Sequence, residues 1–388
     1  MVVNKPPMGW NSWNTFGEKI NEKVVLETAD FIVESGLRDC GYEYVIIDDC
    51  WALRERNENG EMVPDPDKFP HGMKYVSDYI HEKGLKFGMY SCAGTMTCAG
   101  YPGSLGYEFT DARCFAEWGV DYLKYDFCYH PRSTQGHYLY KRMSLALANC
   151  GRDIVFAACS WGAEDTKQWI KETGVHTWRS TGDINDSWES IKELSISQMK
   201  VAEFNGKGCY NDMDMLVVGM NGEGNVGLTG CTEEEYKTHF AVWAMMGSPL
   251  IIGCDLRKAD EKAMNILKNK YLIDIATDEG YRQPFCVNQV RTIVDEQMVN
   301  SYDGMSEPIL VKFLSNGDIA IGVFDFIDDP CCPFMTLNDI GLDESTGKTL
   351  ELTNVWTGEK SYPINGTIRF KLEPHSSIVY RAKVIDAK

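Results

Sequence analysis

The chain has 388 residues, 44% hydrophobic and 24% charged. That balance builds a packed globular fold and excludes a disordered or fibrous one. The formal net charge is -19, from 38 Lys and Arg against 57 Asp and Glu, which argues against a nucleic-acid backbone or an anionic membrane face as partner.

In chain order, short β-rich runs alternate with amphipathic stretches. The predicted strands are Met8–Trp13, Tyr44–Cys50, Leu85–Ser91, Asp121–Cys128, Asp153–Trp161, His176–Asp183, Gly208–Leu216 and Pro249–Asp255. Between them, Asn21–Leu37 puts Val25, Ala29, Ile32 and Val33 on one face, and His137–Asn149, Asn185–Lys200 and Thr232–Met246 read as helices in the same way. Thr232 with Glu235 forms a capping-box signature. Strands alternating with helices imply parallel pairing, and eight such units imply an α/β fold of the (β/α)8 TIM-barrel type. A doubly wound open sheet is the rival.

Near residue 290 the pattern changes to apolar/polar alternation, with strands predicted at Ile309–Phe313, Ile319–Phe326, Leu350–Val355, Thr367–Leu372 and Ile378–Arg381. Ser315-Asn316-Gly317, Thr357-Gly358 and Asn365-Gly366 supply the turns. The expected division is a catalytic barrel at 1–290 and a C-terminal antiparallel β-sandwich at 291–388.

The N-terminus MVVNKPPMGW has no apolar signal core, and the longest apolar run, Val242 to Gly253, is broken by Ser248-Pro249. A bilayer span takes roughly 20 residues, so no membrane partner is expected. The 14 cysteines follow no zinc spacing. Many sit in apolar runs, where a free thiol packs as a small hydrophobe. Most are therefore expected to be reduced, and the compartment cytoplasmic. Cys331-Cys332 is an adjacent pair set between prolines.

In a parallel barrel the chemistry sits where the strands end at their C-terminal side. Those ends read Trp10-Asn11-Ser12-Trp13, Asp48-Asp49-Cys50-Trp51, Tyr90-Ser91-Cys92, Lys124-Tyr125-Asp126-Phe127-Cys128, Cys159-Ser160-Trp161-Gly162, Arg179-Ser180-Thr181-Gly182-Asp183, Asn211-Asp212-Met213-Asp214-Met215 and Cys254-Asp255. A strand-end Asp is often only the N-cap of the next helix, as Asp183 or Asp186 would be, and Asp48-Asp49 reads equally as a solvated turn. Summed, an acidic rim interleaved with aromatics fits a sugar site: rings pack on indoles and hydroxyls bond to carboxylates. Two carboxylates flanking a glycosidic bond can hydrolyse it. Lys124, two residues before Asp126, shares its face of the strand and is expected to keep Asp126 ionised, while Asp183 in its Gly-flanked loop is the candidate acid with a raised pKa. Gly222-Glu223-Gly224-Asn225-Val226-Gly227 fits a dinucleotide motif but opens no helix, and Ser12 and Ser160 have no His base nearby. No metal or cofactor is expected.

These motifs resemble a known family. PPMGWNSWNTF, YEYVIIDDCW, LKFGMYSCAGTMTCAGYPGS, DYLKYDFC, WRSTGDINDSW, YNDMDML and WAMMGSPLIIGCDLR resemble glycoside hydrolase family 27, the α-galactosidases and α-N-acetylgalactosaminidases, over about residues 6 to 290. The resemblance implies a retaining exo-α-galactosidase acting on terminal α-linked galactose in an oligosaccharide or glycoconjugate, without cofactor. It implies Asp126 as nucleophile and Asp183 as acid/base. It places Asp48 and Asp49 on the galactose O4 and O6 hydroxyls, Trp13 on the pocket wall, Tyr90 and Lys124 in the pocket, Arg179 near the 2-position, and Asp214 with Met215 on the strand-seven rim. Cys98 and Cys128 match a pair often bonded in the family, whereas Cys50 and Cys159 match bridged positions whose mates are absent. Ser160 occupies a slot near the 2-hydroxyl where a small residue leaves room for an N-acetyl group, so α-N-acetylgalactosaminidase is the alternative. Further alternatives are a β-L-arabinopyranosidase and a non-catalytic sugar-binding barrel. A homo-oligomer is compatible with this reading.

Overall fold

The computed structural model describes residues 3–288, 291–294, 297–300 and 306–387, the two short strand segments by their backbone alone. Eight parallel strands form one curled sheet: β1 (Met8–Asn11), β2 (Tyr44–Ile46), β3 (Lys86–Cys92), β4 (Tyr122–Asp126), β5 (Val155–Cys159), β6 (Thr177–Arg179), β7 (Tyr210–Asp212) and β8 (Leu250–Ile252). Their order is 7-6-5-4-3-2-1-8. A parallel bridge between Leu216 and Ile252 joins the chain after β7 to β8 and closes the barrel. All but β3 are shorter than the runs that announced them, because the polar ends of the runs leave the sheet as loops; β3 keeps its length and is shifted by one residue.

Five helices of this unit are α1 (Glu22–Glu34), α2 (Gly72–Glu82), α3 (Glu108–Trp118), α4 (Gly136–Ala148) and α5 (Trp188–Met199). The α1 helix starts where Asn21 caps it, its side chain accepting from Val24 N–H at 3.1 Å. The cap of α5 is Ser187, not Asp183 or Asp186. Helix α2 was not predicted, though Met73, Val76 and Ile80 mark its buried face.

Strand β4 shows how period two sorts the chain. Leu123 and Tyr125 face outward under the helices, and the Tyr125 ring lies 5.9 Å from Tyr140 of α4 and 5.5 Å from Phe156 of β5. Lys124 and Asp126 face into the barrel. Lateral register then carries Asp126 to Cys159, Cys159 to Arg179 and Arg179 to Asp212. One layer of the barrel thus collects both charge signs.

By contacts the chain forms two compact units, residues 1–231 with 248–267, and residues 232–247 with 268–388. The expected boundary at 290/291 involves Val290, which lies outside the described residues. The second unit holds helix Glu233–Met246, opened by the capping box of Thr232 and Glu235. It also holds a six-stranded antiparallel sheet of Lys360–Ser361, Lys348–Asn354, Ser377–Asp386, Ile319–Phe324, Ile309–Phe313 and Phe285–Cys286, in that order. A ribbon of Phe334–Thr336 with Thr367–Arg369 contributes Met335 and Ile368 to a core with Ile309, Val311, Ile321 and Leu350. Among the described residues, no helix is long and apolar enough to cross a membrane.

Phe156 is 1% exposed between two aromatic neighbours. Phe156→Ala is expected to lower unfolding free energy by about 3–5 kcal/mol, the usual range for emptying a buried ring site, measured by denaturant titration.

Candidate active site

At the C-terminal mouth of the barrel lies an open cavity. Trp13, Asp48, Asp49, Tyr90, Lys124, Asp126, Arg179, Asp183 and Asp214 all line it. Cys98, Trp161, Met215 and Val226 line it too. Asp48 and Asp49 are each 2% exposed, which removes the solvated-turn reading. Asp255, by contrast, is only a cap, its side chain accepting from Arg257 N–H at 3.3 Å.

Asp126 ends β4 and is 6% exposed. Its Oδ2 accepts from the Tyr90 hydroxyl at 2.9 Å, and its Oδ1 from Phe127 N–H at 2.9 Å. Burial pushes its carboxyl up to about 6; Lys124 and the two hydrogen bonds pull the other way, and Asp48 adds to the rise. Lys124 therefore acts in the expected direction but does not outweigh burial. Lys124 itself bonds Asp48 Oδ2 at 2.8 Å, and Asn11 Nδ2 reaches the same oxygen at 2.7 Å. Asp49 accepts from Cys50 N–H at 2.7 Å and Ala99 N–H at 3.0 Å, and burial raises it above the ordinary carboxylate range.

Arg179, 4% exposed, is the second cation. Its Nη1 meets Asp214 at 2.9 Å and its Nη2 meets Asp183 at 2.9 Å. Nη2 also reaches the carbonyl of Gly182 at 2.9 Å. Asp214 is held with φ at +79°, and accepts from Ile184 N–H at 2.7 Å and Met215 N–H at 2.7 Å. The Asp183 side chain is 72% exposed, at the mouth of the cavity. Partial burial in the cleft opposes ionisation of Asp183, but the Arg179 guanidinium and Lys124 prevail and hold its carboxyl below the usual range. The expected raised value is thus corrected: the ion pair with Arg179 reverses it.

Two features of the site are set by the tertiary structure. Ser160 is completely buried, with its Oγ 2.7 Å from Thr166 Oγ1, and is not part of the cavity lining. β5 ends at Cys159, and the side chain that this turn brings to the cavity lining is Trp161. The second feature is the Cys98–Cys128 disulfide at the rim. It is possible because a Cβ at Gly94 would fall 2.0 Å from the Cys128 carbonyl; only glycine lets the two loops approach this closely. Cys50 and Cys159 are free thiols. Cys98, Asp126 and Cys128 cluster closely enough to suggest a metal site, but sulfurs bonded to each other are not thiolate ligands. The glycine stretch at 222–227 packs Val226 into the cavity wall.

The arrangement suits chemistry at an electrophilic carbon held between a sequestered carboxylate and one at the mouth. Comparison with known proteins points the same way. The family profile described as alpha galactosidase A matches residues 5–278, and that of the alpha galactosidase C-terminal beta sandwich domain matches residues 308–382. The alpha-galactosidase of Cyamopsis tetragonoloba is 40% identical over 376 residues, 97% of this chain and 85% of that one. Alpha-galactosidase I from Mortierella vinacea superposes with a TM-score of 0.88 at 30% identity, covering 99% of this chain and 98% of that one. The Saccharomyces cerevisiae α-galactosidase solved with raffinose gives 0.86 at 29% identity, covering 98% of each chain.

Asp126 binds its proton more tightly in the fold, at about 6, than at the ordinary 3.8. Stability is therefore lost as pH rises from the lower value to the upper, and the penalty is complete above about 6. Asp126→Asn is expected to raise unfolding free energy at pH 7.5 by roughly 1–3 kcal/mol and to change it little at pH 4, measured by denaturant unfolding at both pH values.

Proposed function

The chain belongs to the α-galactosidases of glycoside hydrolase family 27, and from that premise we propose that Asp126 and Asp183 perform a double displacement on a terminal α-galactoside. The protein is a glycoside hydrolase that cleaves α-galactosides. The observation that carries the assignment of roles is that one cavity holds a buried carboxylate and a mouth carboxylate, Asp126 at the end of β4 and Asp183 in the loop after β6.

In this reading Asp126 attacks the anomeric carbon, and Asp183 protonates the departing glycosidic oxygen. Asp183 then removes a proton from water, which releases galactose from the Asp126 ester. Asp48 and Asp49 accept hydroxyls of the galactose, and Trp13 faces its carbon skeleton. Their fixed hydrogen-bond partners within the protein orient the free lone pairs toward the cavity.

The free site holds its protons the wrong way round for attack: Asp126 is raised and Asp183 lowered. Substrate corrects the second. An aglycone covers the exposed Asp183 and raises its carboxyl by desolvation. A hydroxyl near C2 competes for the Arg179 guanidinium and weakens its hold on Asp183. Once Asp126 is esterified its charge is gone, and Arg179 favours the anionic Asp183 that the water step needs.

Galactose is preferred over N-acetylgalactosamine in this reading. Ser160 is withdrawn from the cavity, and Trp161 stands in the wall beside Cys159, whose sulfur is 3.8 Å from Arg179. An N-acetyl group at C2 would meet an indole there. Oligosaccharides bearing terminal galactose are the proposed substrates, supported by the raffinose-bound relative.

Asp126→Gly is expected to lose at least 10³-fold in kcat on nitrophenyl α-galactoside and to be partly rescued by azide or formate. Undiminished turnover would remove Asp126 from its role. Tyr90→Phe deletes a hydrogen bond that favours ionised Asp126; because the free site is protonated in reverse, Asp126 sets the descending limb of kcat/KM against pH, near 6 in the wild type, and that limb is expected to move upward. A steady-state pH series reads this directly. The N-acetylamino analogue is expected to be cleaved more slowly than nitrophenyl α-galactoside; the opposite order would overturn the preference.

A further inference from the structure

The loop after β5 is held in a backbone conformation that its own residues disfavour. Trp161, Gly162, Glu164 and Asp165 have φ of +54°, +80°, +55° and +51°. A side chain with a Cβ rarely adopts this region, and a bulky aromatic least of all. At Gly162 the glycine is required on a second ground, since a Cβ would lie 2.7 Å from the Ser180 carbonyl. Such strain persists only where the surroundings over-determine it, and here it falls on a residue that lines the substrate cavity.

The restraints are identifiable. Inside, Ser160 Oγ and Thr166 Oγ1 form a fully buried pair at 2.7 Å that closes the base of the loop. Outside, Trp169 Nε1 donates to the Glu164 carbonyl at 2.9 Å. The Glu164 carboxylate reaches across to another element: its Oε2 accepts from Gly136 N–H at 2.8 Å. Gly136 is the first residue of α4, whose N-cap residue Gln135 makes no side-chain capping bond. Glu164 thus caps a helix from a distant loop, with the helix dipole favouring its charge. That end of α4 is fixed against the nucleophile strand, because a Cβ at Gly136 would sit 2.9 Å from the ring of Phe127, next to Asp126.

We infer that Glu164 is a positioning residue for substrate recognition: by tying the strained loop to the start of α4, it sets how far Trp161 reaches over the galactose. This rests on Trp161 being a wall of the galactose site. Glu164 is exposed and makes no part of the cavity lining, so its action passes through the loop. When the tie is cut, the loop relaxes toward ordinary φ values and Trp161 withdraws. Ground-state binding weakens while the two carboxylates stay in place, and the space near C2 opens.

The test compares Glu164→Ala and Glu164→Gln with wild type, because the Gln amide oxygen can still accept from Gly136 N–H. For Glu164→Ala, KM for nitrophenyl α-galactoside is expected to rise about fivefold to tenfold, the scale of one lost charge-assisted hydrogen bond, with kcat within about twofold. The ratio of kcat/KM for this substrate over its N-acetylamino analogue is expected to fall. Glu164→Gln should restore most of both. The inference is overturned if Glu164→Ala keeps the wild-type KM and selectivity while losing thermal stability, which is a helix cap and nothing more, or if Glu164→Gln is as impaired as Glu164→Ala. Wild-type protein that does not hydrolyse nitrophenyl α-galactoside would instead sink the reading on which the inference rests.

Discussion

Lys124 and Arg179 are the condition for everything at the mouth of this barrel. Asp48, Asp49, Asp126 and Asp214 are buried within one cavity, and that density of carboxylates is prohibitive without counter-charge. The two cations divide the work. Lys124 neutralises Asp48 on the side of β2, and Arg179 spans Asp214 and Asp183 on the side of β6 and β7. Asp126 stands between them with only hydrogen bonds from Tyr90 and Phe127. Burial raises its carboxyl, as it raises those of Asp49 and Asp214, and among the described residues it has no direct ion pair for an electrophile to displace.

That imbalance is the functional design. A nucleophile stabilised by a direct ion pair would have no reason to leave it, whereas one raised by desolvation gains by forming a neutral ester. Asp183 is built to the opposite rule. It is exposed and ion-paired, and in the proposed reaction its proton affinity rises when a substrate covers it. Water access at the mouth, the same exposure, is what the second step requires.

Of the two carboxylates proposed as catalytic, Asp126 ends β4 and owes its placement to barrel register, while Asp183 lies in the loop that follows β6. Recognition, by contrast, is delegated to loops under strain: Trp161 and Asp214 both line the cavity with positive φ. Each is held by bonds to other elements, Asp214 by Ile184 N–H and Trp161's loop by Glu164 and the Ser160–Thr166 pair.

The alternation of strand and helix, the period-two placing of Lys124 and Asp126, and the sandwich-like turns of the second unit were all legible in the sequence. So was the identity of the acidic rim, since the residues end consecutive strands and the order of the motifs is that of a known family. What local pattern carried no trace of was direction and partnership. Ser160 and Trp161 are neighbours, and only the left-handed turn after β5 decides that the serine is buried and the indole faces substrate. Asp183 is polar in any reading, and only the guanidinium of Arg179, brought to 2.9 Å by the fold, lowers rather than raises its pKa. Sequence by itself determined which groups exist and on which strand they ride, because period and spacing are properties of the chain. Tertiary structure alone decided which way they point and which charges they meet, because burial and Coulomb energy depend on distances that only closure of the barrel sets.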